Sequence, residues 1–109
     1  PAYCENVADL QVSVDDVKNV QLSESGALST LQSELPQIRS DANAVVSSAK
    51  QDFPSQTSAL KSSVSKLSST IEQLPSSPTV QQLAPVAQEI SGVVAAAQDL
   101  DSATSSACD

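Results

Sequence analysis

The chain has 109 residues, which is enough for one hydrophobic core but too few for two domains. It contains no His, Trp or Met, one Tyr, one Phe and two Gly, so its core must be built from Val, Leu, Ile and Ala. A β-sandwich of this size would need more aromatic residues, more alternating β-branched residues and more glycine turns. The composition therefore predicts one all-helical domain over residues 1–109.

The net charge is −8, from 13 acidic and five basic residues. A surface of this sign repels phosphate backbones and anionic lipid headgroups. We therefore expect no nucleic-acid partner and no charge-driven membrane binding, and we interpret the acidity as a source of solubility. The most apolar stretch, residues 90–97, is too short for a transmembrane segment. The basic residues are spread singly along the chain, at Lys18, Arg39, Lys50, Lys61 and Lys66.

The first apolar stripe predicts a helix over about residues 5–18, because its members are spaced by three and four residues. Asn6 is the predicted N-cap, and Asp9 stands in the capping-box position three residues later. The stripe then disappears between residues 19 and 26, where Ser23, Ser25 and Gly26 predict a loop. The stripe consists of Val7, Leu10, Val14 and Val17.

The second stripe is the most regular in the chain and predicts a helix over residues 26–51. Pro36 lies inside it and removes one backbone hydrogen bond, which either kinks the helix or breaks it. We favour the kink, because the stripe keeps its phase across the proline. The stripe consists of Leu28, Leu31, Leu35, Ile38, Ala42, Val45 and Ala49.

A corner at Asp52-Phe53-Pro54 separates the second helix from the third, with Pro54 suited to the first helical position. The third helix is predicted over residues 54–74, and the proline- and serine-rich residues 75–79 end it. Its stripe consists of Thr57, Leu60, Val64, Leu67, Ile71 and Leu74.

The fourth helix is predicted over residues 78–107, with Pro85 bending or breaking it near its start. We expect its stripe to change phase near the end, from one set of residues to another. One side of this helix carries the small residues Ser91, Gly92, Ala95 and Ala96, and we expect a neighbouring helix to pack closely there. The first set is Val80, Leu83, Ala87, Ile90, Val94 and Ala97, and the second is Val93, Ala97, Leu100 and Thr104.

The two cysteines, Cys4 and Cys108, lie at the two ends of the helical region. With short connections, successive helices run antiparallel, so an even number of helices brings both cysteines to the same end. An odd number would separate them beyond the reach of a disulfide. A zinc site lacks ligands, because there is no His and no C-x-x-C spacing. We therefore predict an up-down-up-down four-helix bundle closed by a Cys4–Cys108 disulfide, which forms in an oxidising compartment.

The same topology places Phe53 beside Tyr3 at the disulfide end. The first helix, about 20 Å long, is predicted to be shorter than the others and to cover only part of the groove between helices two and four. Either Val20 and Leu22 fill the gap, or an apolar cleft remains there as the place for a ligand.

The sequence contains no motif that indicates catalysis. No His is present to activate a serine, and the S-x-x-K pattern from Ser63 to Lys66 is a product of the high serine content. Asp15 and Asp16 point about 100° apart on a helix. Asp99-x-Asp101 starts like a calcium loop but lacks its glycine and its closing glutamate. We therefore predict no enzyme, no cofactor and no metal, and we name only the two cysteines as site residues.

A cysteine before a short amphipathic segment, Ala/Ser/Val-rich helices that meet at an Asp-x-Pro corner, and a closing cysteine form a pattern over the whole chain. The residues that carry it are Cys4, Val7, Leu10, residues 52–54, Leu60, Val64, Leu67 and Cys108. The pattern resembles the small exported helical proteins of actinobacteria, a group without an established activity. The resemblance implies export and a helical fold only.

We therefore predict a non-catalytic interaction module that is secreted or lies in the cell envelope. We expect a monomer or a weak homodimer, and the protein partner is unknown. The start at Pro1 rather than at Met is expected after removal of a signal peptide or trimming of the chain. The alternative is a carrier of a lipid or another apolar ligand in an inter-helix cleft.

Overall fold

The computed structural model describes residues 2–20, 26–75 and 77–108. They form four helices, α1 (Ala2–Lys18), α2 (Ala27–Ala49), α3 (Pro54–Gln73) and α4 (Val80–Cys108), and no strand occurs within these ranges. The four helices build an elongated bundle of 43 × 19 × 18 Å. The all-helical fold class is therefore confirmed.

Each helix packs against two neighbours. Helix α1 packs beside α2 and α4, and α3 packs beside the same two helices, whereas the diagonal pairs α1/α3 and α2/α4 have no Cα atoms within 8 Å of each other over the described residues. Side-chain pairs show the helix directions. Asn6, early in α1, binds Ser48 at the end of α2, and Thr70, late in α3, binds Glu89 in the first half of α4. Successive helices therefore run antiparallel, as an up-down-up-down bundle requires.

The core is aliphatic and draws on all four helices. Leu10, Leu60 and Leu100 have no exposed surface, and burial of a side chain of this size contributes about 1.5–3 kcal/mol. The stripes of the first three helices are buried as predicted, except that Leu28 and Leu74 are only half-buried.

The stripe of α4 differs from the prediction. Its buried residues keep one phase along the helix, with alternating steps of three and four, so the predicted change of phase does not occur. Val80 and Ala87 are exposed and Val94 is half-buried, because they lie to one side of this stripe. The buried residues of α4 are Leu83, Val86, Ile90, Val93, Ala96, Ala97, Leu100 and Thr104.

The start of α1 corrects a second prediction. The helix begins at Ala2 rather than near residue 5, so Asn6 lies inside it and is not its N-cap. Its side chain binds α2 instead, donating to the backbone oxygen of Ala44 and to Ser48 Oγ. Asp9 is exposed on the same helix and closes no capping box. The side-chain amide of Asn6 therefore binds the neighbouring helix α2 instead of capping the start of its own helix.

A capping box that sequence reasoning missed lies at the start of α4. The Thr79 backbone N–H donates to Gln82 Oε1 at 2.8 Å, and the Gln82 N–H donates to Thr79 Oγ1 at 3.2 Å. This reciprocal pair satisfies two backbone donors that would otherwise have no helical partner. The helix therefore begins at Val80, two residues after the predicted start.

Both interior prolines are accommodated within continuous helices. Helix α2 runs through Pro36 and α4 through Pro85, so neither proline breaks its helix. Both rings are exposed. Each proline has no N–H to donate to the carbonyl four residues earlier, and on the solvent side of the helix that carbonyl is accessible to water.

The disulfide end of the bundle matches the prediction. Cys4 and Cys108 form a disulfide with their Cα atoms 5.6 Å apart. The rings of Tyr3 and Phe53 meet edge to face, with centroids 5.5 Å apart and planes at 83°. Tyr3 is buried and Phe53 is half-buried, so the two rings close this end of the core. The disulfide indicates an oxidising environment, because structural disulfides form and persist mainly there.

Candidate binding groove between helices α1 and α4

An open groove of about 450 Å³ lies where the end of α1 runs beside the middle of α4. Its apolar lining includes Val17, Val20, Ile90 and Val94. The sequence predicted a cleft between helices two and four. Its position is different because α2 and α4 are diagonal in the bundle, so the gap beside the shortest helix opens onto α4. The possible filler Leu22 and the loop serines Ser23 and Ser25 lie outside the described residues.

Small side chains on α4 create the concave surface. Ala87, Ser91 and Ala95 follow each other at intervals of four residues and therefore share one side of the helix. No bulky group projects from these positions, so α1 and α4 leave space between them. The prediction that a helix packs closely on this small-residue side holds only at Gly92, on the edge that faces α3. There, a methyl group added at Gly92 would lie 3.9 Å from Ser63 Oγ of α3.

The apolar lining is only partly covered by the protein itself. Val17 and Ile90 belong to the buried core, whereas Val20 and Val94 are half-buried. Val94 is the residue that the phase of the α4 stripe places beside the core rather than in it. The groove therefore offers the edges of several branched aliphatic side chains to a ligand or partner.

A long hydrogen bond joins α1 to α4 between the groove and the disulfide. Gln11 Nε2 donates to the backbone oxygen of Ala97 at 3.5 Å. Lys18 and Gln98 line the groove and are both exposed. The groove is therefore apolar at its floor and polar at its edges.

Charge is distributed unevenly between the two sides of the bundle. Helices α1 and α4, which pack against each other, together hold seven carboxylates and one cation, a net charge of −6. Helices α2 and α3 hold three carboxylates and three cations, a net charge of zero. The apolar groove therefore lies between the two acidic helices, and the one charged residue among its described lining residues is Lys18. Asp15 on α1 and Asp101 on α4 are both exposed.

The seam between α1 and α2 contains a carboxyl group with an altered pKa. Burial raises the pKa of Glu34 above its ordinary value of 4.5, and the negative charge of Asp16 raises it further. Glu34 Oε2 is buried and accepts no hydrogen bond from the described residues. This seam lies on the other side of α1 from the groove, so Glu34 is not a lining residue.

The remaining sequence candidates are dispersed. Asp15, Asp16, Asp99 and Asp101 are all exposed, and the described ranges contain no group of three possible metal ligands. Ser63 is half-buried. None of the four described helices is apolar over a length that would cross a bilayer.

Sequence reasoning found the small side chains of α4 but missed the groove that they form. The sequence contained a signal for the groove, namely the spacing of Leu83, Val86, Ile90 and Val93. A buried stripe with this spacing leaves Val94 outside the core.

Comparison with known proteins finds no protein-family model that matches the chain, and no curated protein or solved structure with significant similarity to it.

Proposed function

We propose that the protein is a non-catalytic interaction module and that the α1–α4 groove binds a partner protein. The observation that carries this proposal is an apolar groove between two helices that together hold a net charge of −6. A fitting partner inserts apolar side chains into the groove and surrounds them with Lys or Arg. Charge complementarity of this kind guides association and selects among partners.

The shape of the groove favours a protein partner over a small ligand. Small-molecule sites usually enclose most of the ligand surface. This groove is open along one side, and the core below it is filled by Val17, Ile90 and their neighbours. An open apolar surface with a polar edge is typical of protein interfaces, where a few anchor residues supply most of the binding energy.

We place this function outside the cytoplasm, either in the secreted fraction or in the cell envelope. The disulfide supports an oxidising compartment, and the resemblance to small exported helical proteins of actinobacteria agrees with it. The acidic α1–α4 side disfavours nucleic acid as a partner, because it repels phosphate groups.

The test uses two designed helical peptides of equal length, one with Leu and Lys on opposite faces and one with Leu and Glu. Binding to the oxidised protein is measured by fluorescence anisotropy. We expect the Leu/Lys peptide to bind saturably and more weakly as salt is added, because the ions screen exposed charges. We expect the Leu/Glu peptide not to bind. Equal binding of both peptides would contradict the proposal.

A pair of matched variants locates the binding site. Val94→Ser removes an apolar side chain from the groove, and Val80→Ser makes the same change on α4 at a valine that is 79 % exposed and outside the groove. We expect Val94→Ser to weaken binding of the Leu/Lys peptide and Val80→Ser to leave it unchanged. If both variants weaken binding equally, the groove is not the site.

The alternative function is a carrier of a lipid or another apolar ligand, and the apolar floor of the groove favours it as the second candidate. A carrier should take up an apolar dye saturably and release it when fatty acid is added. Native mass spectrometry of protein purified from its source without reductant should then show additional non-covalent mass. A protein that carries no such mass and whose bound dye is not displaced is not a carrier.

A further inference from the structure

A second groove, of about 290 Å³, runs between α2 and α3, on the opposite side of the bundle from the α1–α4 groove. Its floor is apolar and includes Ala42 and Val64, which are both buried. Its walls are polar and contain two of the five basic residues of the chain. This composition differs from that of the α1–α4 groove and indicates a different ligand.

The two basic residues come from different helices and lie at similar heights along the bundle. Arg39 precedes Ala49, the last residue of α2, by ten positions, and Lys61 follows Pro54, the first residue of α3, by seven. Because α2 and α3 are antiparallel and joined at this end, the two cations differ by only about 4–5 Å in height. Neither forms an ion pair with a carboxylate among the described residues. Both are therefore available to an anion.

Hydroxyl groups continue the groove along α3 beyond the cations. Ser65, Ser68 and Ser69 line it, and their hydroxyls make no hydrogen bond to another described residue. Some other hydroxyls in the bundle donate to the backbone of their own helix, as Thr57 does to Phe53 and Thr104 to Leu100. The three serine hydroxyls therefore remain available to donate to a ligand or to accept from it.

Charge at the two ends of the groove orients a ligand. Glu72 lines the far end, about 16 Å along α3 from Lys61. Its carboxylate repels an anionic group, whereas Arg39 and Lys61 attract one and form charge-assisted hydrogen bonds with it. An anionic group is therefore held at the end with the two cations, and the uncharged part of the ligand extends towards the serines.

We propose that the α2–α3 groove binds a monosaccharide-sized ligand that carries one phosphate or carboxylate group. The anionic group lies between Arg39 and Lys61, and the sugar hydroxyls bind Ser65, Ser68 and Ser69. The volume of the groove lies just below the usual range for ligand sites, so the groove has room for no more than a single sugar unit. This site is independent of the partner surface on α1 and α4.

The experiment is a titration of the 15N-labelled, disulfide-bonded protein, followed by amide chemical shifts. The probes are glucose 6-phosphate, glucuronate, inorganic phosphate and neutral glucose. We expect saturable shifts at residues 39, 61, 65, 68 and 69 with at least one of the two sugar anions, which also shows whether phosphate or carboxylate is preferred. Inorganic phosphate and glucose should each bind more weakly, because each offers only half of the contacts.

Matched variants separate a built site from general attraction to positive charge. Lys61→Gln removes a cation from the groove, and Lys66→Gln removes another exposed cation from the same helix outside the groove. We expect Lys61→Gln and Arg39→Gln to weaken binding of the preferred sugar anion roughly tenfold, and Lys66→Gln to change it less than about twofold. Ser68→Ala should weaken binding of the sugar anion but not that of inorganic phosphate.

Three results would overturn the proposal. The first is the absence of saturable shifts with both sugar anions. The second is equal weakening by Lys61→Gln and Lys66→Gln, which would indicate non-specific attraction. The third is binding of inorganic phosphate or neutral glucose as tight as that of the sugar anions, which would exclude joint recognition of the anion and the hydroxyls.

Discussion

Asn6 on α1 and Ser48 on α2 form a hydrogen bond that joins the first helix to the end of the second. Asn6 Nδ2 donates to Ser48 Oγ at 2.9 Å, and Ser48 Oγ donates in turn to the backbone oxygen of Ala44 at 2.9 Å. One heptad further along α1, Ser13 donates to Asp41, which is seven residues before Ser48. Polar pairs thus repeat every seven residues along this seam, the period of coiled-coil packing.

The Asn6–Ser48 pair should have a measurable coupling energy. In a double-mutant cycle with Asn6→Ala and Ser48→Ala, we expect a coupling of roughly 1 kcal/mol in the free energy of unfolding, the usual value for a neutral hydrogen bond. Urea unfolding followed by circular dichroism measures it. Ser47→Ala is the control, because Ser47 is an exposed neighbour on the same helix. A coupling with Ser47 as large as that with Ser48 would contradict the assigned pair.

Asn6 also shows which features of α1 the sequence predicted and which it did not. The stripe of Val7, Leu10, Val14 and Val17 indicated the buried face of α1 correctly, because burial follows helical spacing. The role of Asn6 depended instead on which residue of another helix lay opposite it. A single-sequence pattern does not contain that relationship, so a local cap and a long-range hydrogen bond could not be distinguished.

Replacing Glu34 by Gln should stabilise the protein at neutral pH. Burial and Asp16 raise the pKa of Glu34 in the folded state, so the folded protein binds this proton more tightly than the unfolded chain does. Stability from this group is therefore complete below about pH 4.5 and is lost as the pH rises through the raised pKa. We expect Glu34→Gln to gain roughly 1 kcal/mol at pH 7 and little at pH 4.

Urea unfolding of wild type and variant at both pH values tests this expectation. Glu5→Gln is the matched control, because Glu5 is exposed, and its effect should be small at both pH values. A Glu34→Gln variant that is less stable than wild type at pH 7 would show that the carboxylate makes a favourable interaction in the folded state. A gain of equal size at pH 4 would exclude the pKa as its cause.

The Cys4–Cys108 disulfide should supply a large part of the stability. It links residues separated by 104 positions, and closing a loop of this size is expected to contribute about 4–5 kcal/mol through the entropy of the unfolded chain. We expect the double variant Cys4→Ser/Cys108→Ser to lose about this amount in urea unfolding. Reduced wild type provides the control, since it lacks the bond but keeps both cysteines.

Agreement between the reduced protein and the double variant assigns the loss to the missing bond. A loss confined to the double variant would assign it to the serine side chains instead. The intact mass of protein purified without reductant should be lower by two hydrogens than that of the reduced protein. Free thiols in that sample would contradict the disulfide itself.

The disulfide and the α1–α4 groove show two different degrees of predictability. The pairing followed from the number of helices and the positions of Cys4 and Cys108, which the sequence contains. The groove required the arrangement of the helices around the bundle and the phase of the α4 stripe. The sequence prediction counted Val80 as part of that stripe, and a stripe that contains Val80 also buries Val94. In the structure, Val80 is exposed. In the structure, the phase of Val86 and Val93 exposes one edge of Val94 to the groove.

Filling the α1–α4 groove from within the chain should remove its binding function without unfolding the protein. Ala95 is exposed and lines the groove together with Val17 and Val94, so Ala95→Leu places an isobutyl group in the groove. We expect stability to stay equal or rise by up to about 1 kcal/mol, because apolar surface is newly covered. Binding of the Leu/Lys peptide should weaken roughly tenfold, because the new side chain occupies the position of the partner's anchor.

Ala59→Leu adds the same group at an exposed position on α3, away from the groove, and should leave peptide binding unchanged. Fluorescence anisotropy and urea unfolding on the same samples measure both effects. Undiminished peptide binding by a folded Ala95→Leu protein would show that the partner does not enter this groove.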